Sequence, residues 1–180
     1  MSGISITPYF PFFRVNIIGQ RVMVASSLIQ ASPDQRYRPI CYVCKTSSVI
    51  SHKWLQRPIR DLNMGPAHVS IECRYRQIYC LNCRRFLLED LEFFEPSQRV
   101  TKRFACYIHE LCKLLTIQDV ARHFDLDWKT VKNIDKAFLE KEFAQTDYNN
   151  LTILAVDEIS IKRGHTYMTV VLDYLTGRVV

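Results

Sequence analysis

Hydrophobic and polar positions change period twice along this chain of 180 residues. Over residues 69–76 they alternate, with Val69, Ile71, Cys73 and Tyr75 on one side and Ser70, Glu72, Arg74 and Arg76 on the other. Period two predicts a strand with one buried face and an outer face carrying two arginines. Arg57 to Leu62 predicts a shorter strand before it, and Asn63-Met64-Gly65-Pro66 a turn between the two. Nearer the start, Phe13 to Ile18 and Arg21 to Leu28 are rich in β-formers, and Gly19-Gln20 offers a turn, so a hairpin is expected. Residues 31–40, polar with two prolines, are expected to link that hairpin to the β-rich segment beginning near residue 39.

From about residue 99 the period becomes helical. Phe104, Ile108, Leu111 and Leu115 fall at steps of four, three and four, the spacing of one helix face. Thr116 followed three residues later by Asp119 predicts the capped start of a second helix. Phe124-Asp125-Leu126-Asp127 predicts a short break, with Asp127 capping a third helix that places Val131, Ile134, Phe138 and Leu139 on one face. From residue 151 strands return. Leu151 to Val156 is an apolar run ending in Asp157-Glu158, Thr166 to Leu172 is a second β-rich run, Asp173 to Gly177 a turn, and Arg178 to Val180 the start of a third strand. The expected class is α+β. Its segments are an N-terminal hairpin and linker at 1–38, a β-rich unit at 39–90, three helices at 99–145 and a further β segment at 151–180.

Hydrophobic residues make up 48% and charged residues 23%, which excludes a disordered chain. No run approaches the roughly 20 apolar residues a membrane span needs. The apolar start, Tyr9-Phe10-Pro11-Phe12-Phe13, is broken by proline, meets Arg14 and lacks a basic leader, so a cytoplasmic protein with no membrane partner is expected. Net charge is +6, and it is uneven: residues 35–90 hold ten Lys and Arg against four Asp and Glu. A local basic excess points to a polyanion, nucleic acid first. Ordinary solubilising charge would give the same count.

The basic segment also holds the informative cysteines. Cys41-Tyr-Val-Cys44 and Cys80-Leu-Asn-Cys83 are two thiol pairs separated by 35 residues. A two-residue spacer lets a tight knuckle aim both sulfurs at one ion, and two knuckles complete the tetrahedron zinc accepts. The β-rich stretch between them suits a zinc ribbon with Cys41, Cys44, Cys80 and Cys83 as ligands of a structural zinc. Iron in the same cage and two unrelated pairs are the alternatives. His52 is expected at the surface, Cys73 in the core, and Cys106 and Cys112 as packing residues of the first helix.

Residues 115–142 fit a helix-turn-helix, with Ala121 small enough for a close crossing and Leu126 plugging the turn. The outward positions of the last helix are Lys129, Thr130, Lys132, Asn133 and Lys136. In this motif the second helix lies in the major groove. There Asn suits adenine, Thr the thymine methyl, and Lys guanine or phosphate. The expected partner is therefore double-stranded DNA, with Arg74 and Arg76 adding phosphate contacts. A helical hairpin with a solvated lysine face is the alternative.

Cys41-x-x-Cys44, then Arg60-Asp61-Leu62, then Arg74-Tyr75-Arg76 leading into Cys80-x-x-Cys83, resembles the N-terminal zinc ribbon of the ISL-three family of insertion-sequence transposases. The segment from Val156-Asp157-Glu158-Ile159-Ser160-Ile161-Lys162-Arg163-Gly164-His165-Thr166-Tyr167 to Asp173-Tyr174-Leu175-Thr176-Gly177-Arg178-Val179-Val180 resembles the opening of its catalytic domain. The resemblance implies a ribonuclease-H-like fold with three carboxylates, and Mg or Mn as cofactor in a complete domain. Asp157 would be the first catalytic carboxylate. Glu158 takes no catalytic role, and Asp173 reads as a turn residue. The other two carboxylates are expected far downstream, so the chain is expected to be a truncated transposase that binds element-end DNA without cutting it. A second copy or a full-length transposase would be its protein partner. A transcription regulator built from zinc ribbon and helix-turn-helix is the alternative, and a zinc-stapled protein-interaction module a third.

Overall fold

The computed structural model describes residues 7–144, 148, 150–162 and 166–180, with side chains undescribed at 161 and 162. It is an α+β protein of two compact units, one ending at Asp135 and the other beginning at Lys136.

The first unit is organised by a long antiparallel hairpin, β3 (Val49–Met64) and β4 (Ala67–Cys80). Every apolar residue expected on the inner face of 69–76 is buried: Val69, Ile71, Cys73 and Tyr75. The expected 57–62 strand lies in the second half of a strand of 16 residues. Its first half gave no alternating signal for two reasons. A bulge between Ser51 and Lys53 breaks the period, and Ile50 to Trp54 are exposed whichever way they point. Pro58 is tolerated because β3 lies at the edge of the sheet. Gly65, at φ +59°, makes the turn between β3 and β4.

Two short neighbours share the other side of β4. The N-terminal hairpin, β1 (Val15–Val22) and β2 (Ser26–Pro33), pairs through β2 in parallel with His68 to Cys73. β5 (Arg85–Leu88) pairs antiparallel with Gln77 to Cys80. The hairpin turn is not at Gly19-Gln20, which lie inside β1. Gly19 sits at a bulge, where an added Cβ would stand 2.6 Å from the Gln30 side-chain oxygen. Glycine here marks a close approach within a strand rather than a turn. The apolar N-terminal stretch is also structural. Phe10 is buried in the main core with Ile29, Ile59, Ile71, Phe93 and Phe94, and Phe12 stacks on Phe93 with centroids 4.4 Å apart.

Helices α1 (Lys102–Cys112), α2 (Ile117–Phe124) and α3 (Trp128–Glu142) come next in the chain. Their starts are capped as the sequence predicts: the Thr116 hydroxyl accepts from the Asp119 N–H, and Asp127 accepts from the Lys129 N–H at 2.9 Å. Phe104, Ile108, Val120, Ala121, Phe124, Val131 and Ile134 form the interior. Leu111 is only half-buried and Leu115 lies exposed beyond the end of α1. Cys106 is exposed and Cys112 half-buried, so Cys106 does not pack as expected. The buried His109 ring lies 2.8 Å from the Asp135 carboxylate and ties α1 to α3.

The sheet and α1 meet around a carboxylate. Asp61, on β3, is fully buried. It accepts from the Thr101 hydroxyl at 2.6 Å and from Nε of Arg103 at 2.9 Å, and Nη2 of Arg103 bonds its second oxygen. Thr101 is at the same time the N-cap of α1, accepting from the Phe104 N–H. One hydroxyl thus starts a helix and satisfies a buried charge.

In the second unit, β6 (Leu154–Lys162) and β7 (Thr166–Asp173) form a two-stranded antiparallel sheet. Asp173 is a turn residue: it accepts from the Leu175 N–H and the Thr176 hydroxyl, and Gly177 lies just beyond at φ +69°. The expected third strand is a single bridge, Leu172 to Val179. Arg163, Gly164 and His165 lie outside the described residues. Among the described residues no helix is long and apolar enough to cross a membrane.

The double role of Thr101 has a measurable consequence. Thr116→Ala removes a cap and only an exposed hydrogen bond to the Asp119 carboxylate, and should cost about 1 kcal/mol. Thr101→Ala also removes a hydrogen bond to a buried carboxylate and should cost about 2–3 kcal/mol. Urea unfolding of both variants checks this; equal losses would mean that the bond to Asp61 contributes nothing.

Candidate functional site

The two cysteine pairs are 35 residues apart in sequence and adjacent in space because of the β3–β4 register. Val49, five residues after Cys44, is the partner of Cys80. The hairpin therefore returns the chain to where it started, and β5 folds back to close the second knuckle. The knuckles share one design. In the first, Lys45 N–H donates to the Cys41 carbonyl at 2.9 Å; in the second, Arg84 N–H donates to the Cys80 carbonyl at 2.8 Å. Lys45 and Arg84 both adopt the left-handed conformation, at φ 57° and 54°.

All four sulfurs lie within 4.8 Å of one another, and among the described residues no other such group of three or more His, Cys, Asp or Glu occurs. Cys41 and Cys83 sulfurs are 4.0 Å apart, and those of Cys44 and Cys80 3.5 Å. Thiolates about 2.3 Å from a tetrahedral zinc stand about 3.8 Å from each other, so the donor set fits a metal such as zinc. Cys41 and Cys80 are buried; Cys44 and Cys83 are half-buried. The sulfurs do not ionise alike. The Thr46 backbone N–H pulls Cys44 down to about 6. Hydrogen bonding with Cys44, then burial, pushes Cys83 up to about 12. A cation among them removes that conflict by favouring all four thiolates. His52 stands apart, exposed, its ring 4.7 Å from that of Phe86.

The outward positions of α3 are as open as their spacing requires. Lys129, Thr130, Lys132, Asn133 and Lys136 are all exposed, while Val131 and Ile134 are buried. Lys136 pairs with Glu140 one turn on, at 3.5 Å.

The two arginines of β4 differ. Arg74 is exposed, its guanidinium 4.6 Å from the centre of the Trp54 ring. Arg76 also approaches Trp54, at 5.4 Å, but its charge is engaged internally. It pairs with Glu89 at 2.7 Å, and the two side chains are 14% and 1% exposed. Arg76 is thus not free on an open face. Sequence alone could not separate them, because period two assigns both to the same side and says nothing of Glu89, 13 residues away.

Asp157 and Glu158 are exposed in the middle of β6, opposite Val170 and Thr169. The Asp157 carboxylate accepts from the Glu158 N–H at 2.8 Å.

With the helices described, comparison with known proteins is specific. The helix-turn-helix domain of transposase family ISL3 matches residues 89–139, the stretch that contains α1, α2 and most of α3. The transposase for insertion sequence element IS1001 of Bordetella parapertussis is 34% identical over 141 residues, 78% of this chain and 35% of the relative. The chain belongs to transposase family ISL3, in its N-terminal part. Transposases for insertion sequence element IS1557 from two strains of Mycobacterium tuberculosis are 35% identical over 77 residues, 42% of this chain and 15% of theirs. This ISL3-family chain therefore spans about a third or less of the length of these relatives. No solved structure matches it.

The arginine pair yields a second test. Arg76→Ala strands a buried carboxylate and should cost about 3 kcal/mol. Arg74→Ala loses only a partly solvated contact with Trp54 and should cost under about 1 kcal/mol. Thermal or urea unfolding separates them; an Arg76 loss as small as that of Arg74 would mean the Glu89 pair is not formed.

Proposed function

We propose that this chain binds double-stranded DNA at the ends of an insertion sequence, with α3 in the major groove and a structural zinc in the four-cysteine site. The observation that carries this is the coincidence of two independent features. The ISL3 helix-turn-helix match covers 89–139, and within it the exposed side of α3 presents Lys129, Thr130, Lys132 and Asn133 beside buried Val131 and Ile134. Thr130 and Asn133 are suited to base edges, and the lysines to guanine or phosphate. Lys136, one turn further along, adds a backbone contact.

The 39–90 segment acts as a zinc ribbon. Cys41, Cys44, Cys80 and Cys83 hold the ion, which supplies folding energy and no open coordination position. Exposed Arg74 contributes to phosphate binding; Arg76 contributes mainly by holding Glu89. Residues 151–180 correspond to the opening strands of a ribonuclease-H-like catalytic domain. In a complete domain that binds Mg or Mn, Asp157 would supply one carboxylate. Its position on a strand suits such a role, since adjacent Glu158 points to the opposite face and leaves Asp157 as the single candidate there. As a protein partner we propose a second copy of the chain or a full-length transposase.

Elemental analysis of the purified chain should find one zinc, lost in Cys41→Ser and Cys80→Ser, and chelation should loosen the knuckle end of the sheet around Cys41 to Val49 and Ile78 to Leu87. Retention of the metal in either variant would exclude this ligand set. For DNA, Asn133→Ala should weaken binding to the element's terminal repeat while sparing random duplex. Each lost bidentate base contact is worth about 1–3 kcal/mol of discrimination. Equal loss on both duplexes in a gel-shift assay would take Asn133 out of sequence reading.

A further inference from the structure

A cleft of about 270 Å³ lies between α3 and the loop that precedes α1, lined by Ser97, Gln98, Arg99, Val100, Thr130, Asn133 and Ile134. Two of these, Thr130 and Asn133, are on the side of α3 assigned to DNA. The opposite wall is a loop that the sequence gives no reason to notice.

That loop is held rigidly from the sheet. The Arg57 guanidinium donates to three of its carbonyls: Pro96 at 2.8 Å, Gln98 at 3.0 Å and Glu95 at 3.2 Å. The Arg57 cation also sits 4.7 Å from the centre of the Phe94 ring. Next along, Arg60 N–H donates to the Arg99 carbonyl at 2.8 Å, and Thr101 N–H to the Arg60 carbonyl at 2.9 Å. The backbone on both sides of Arg99 is therefore pinned, while its side chain is exposed and has no carboxylate partner among the described residues. Its neighbours differ. Lys102 pairs with Glu95, Arg103 with Asp61, and Arg60 bonds Asn63. Arg99 is the cation left facing the cleft.

We infer that this cleft receives the sugar-phosphate backbone of one DNA strand beside the groove occupied by α3, with Arg99 contacting phosphate and Arg57 positioning the loop. An open cation on a fixed backbone loses little freedom on binding, and phosphate is the anion a duplex presents next to a helix in its major groove. A base edge is a poorer fit, because the wall opposite Arg99 is already the base-reading side of α3. The inference rests on the proposed DNA binding through α3 and adds a second contacting element to it.

The test is a salt titration of binding by the full chain, read by fluorescence anisotropy on two duplexes: the terminal repeat of the element that encodes it, and a random sequence of equal length. Arg99→Gln, at an exposed position, should leave the fold intact. It should weaken both duplexes by the same factor, about 3–10-fold, and make the slope of log K against log salt shallower by about 0.9, the loss of one phosphate contact. Arg57→Lys keeps the charge but cannot span three carbonyls. It should weaken binding to a similar extent, and combining it with Arg99→Gln should add little. An unchanged salt slope in Arg99→Gln, with wild-type binding normal, would overturn the phosphate contact and leave a protein-docking loop instead. Additive losses in the double variant would overturn the positioning role of Arg57. Failure of the wild-type chain to bind either duplex would instead strike the DNA-binding assignment itself.

Discussion

Four sulfurs brought within 4.8 Å of one another are the constraint on which one end of the sheet depends. The buried cluster at that end contains Cys41, Ile78 and Cys80, with Cys44, Val49, Cys83 and Leu87 partly buried around it. Apart from the cysteines, this is one fully buried isoleucine and two half-exposed side chains. So small a core cannot offset the entropy of ordering two knuckles and three strand ends. A structural metal is how small β-rich units of this kind are held. The long β3–β4 hairpin makes sense in the same terms: its register returns the chain to the first knuckle, and β5 supplies the second side.

The other end of the sheet is held by ordinary burial, and it is there that the helices attach. Phe10, Phe93, Phe94, Ile59 and Ile71 provide the apolar mass. Asp61, Thr101 and Arg103 then join β3 to α1, and Arg57 fixes the loop between them. The cysteine site, α1, α2 and α3 up to Asp135 thus belong to one compact unit. Under the proposed DNA binding, exposed Arg74 on β4 and the outward side chains Lys129, Thr130, Lys132 and Asn133 of α3, held in one unit, would contribute to a single binding register without a further ordering cost.

Much of this was legible in the sequence, and the exceptions have causes. The alternation at 69–76 and the caps at Thr116 and Asp127 are local signals, and the structure carries them unchanged. The spacing of the two cysteine pairs also survived, because a knuckle is set by its own few residues. What failed was non-local. Gly19 resembled a turn because its close approach to Gln30 depends on strand pairing that sequence does not display. The first half of β3 was missed because a bulge broke its period. Arg76 looked like a twin of Arg74 until Glu89 arrived from beyond the second knuckle. The Asp61 joint was missed for the same reason. Arg60-Asp61-Leu62 reads as part of a strand and of a resemblance, and the partners of Asp61 lie 40 and 42 residues downstream.

Whether a four-sulfur metal site sets the geometry of the β3–β4–β5 end is tested most directly by X-ray absorption at the zinc edge of the purified chain. Four cysteine ligands require a single shell of four sulfur scatterers at about 2.3 Å, with no nitrogen or oxygen neighbour. A shell containing nitrogen or oxygen, or fewer than four sulfurs, would contradict this, because one of Cys41, Cys44, Cys80 and Cys83 would then lie outside the site.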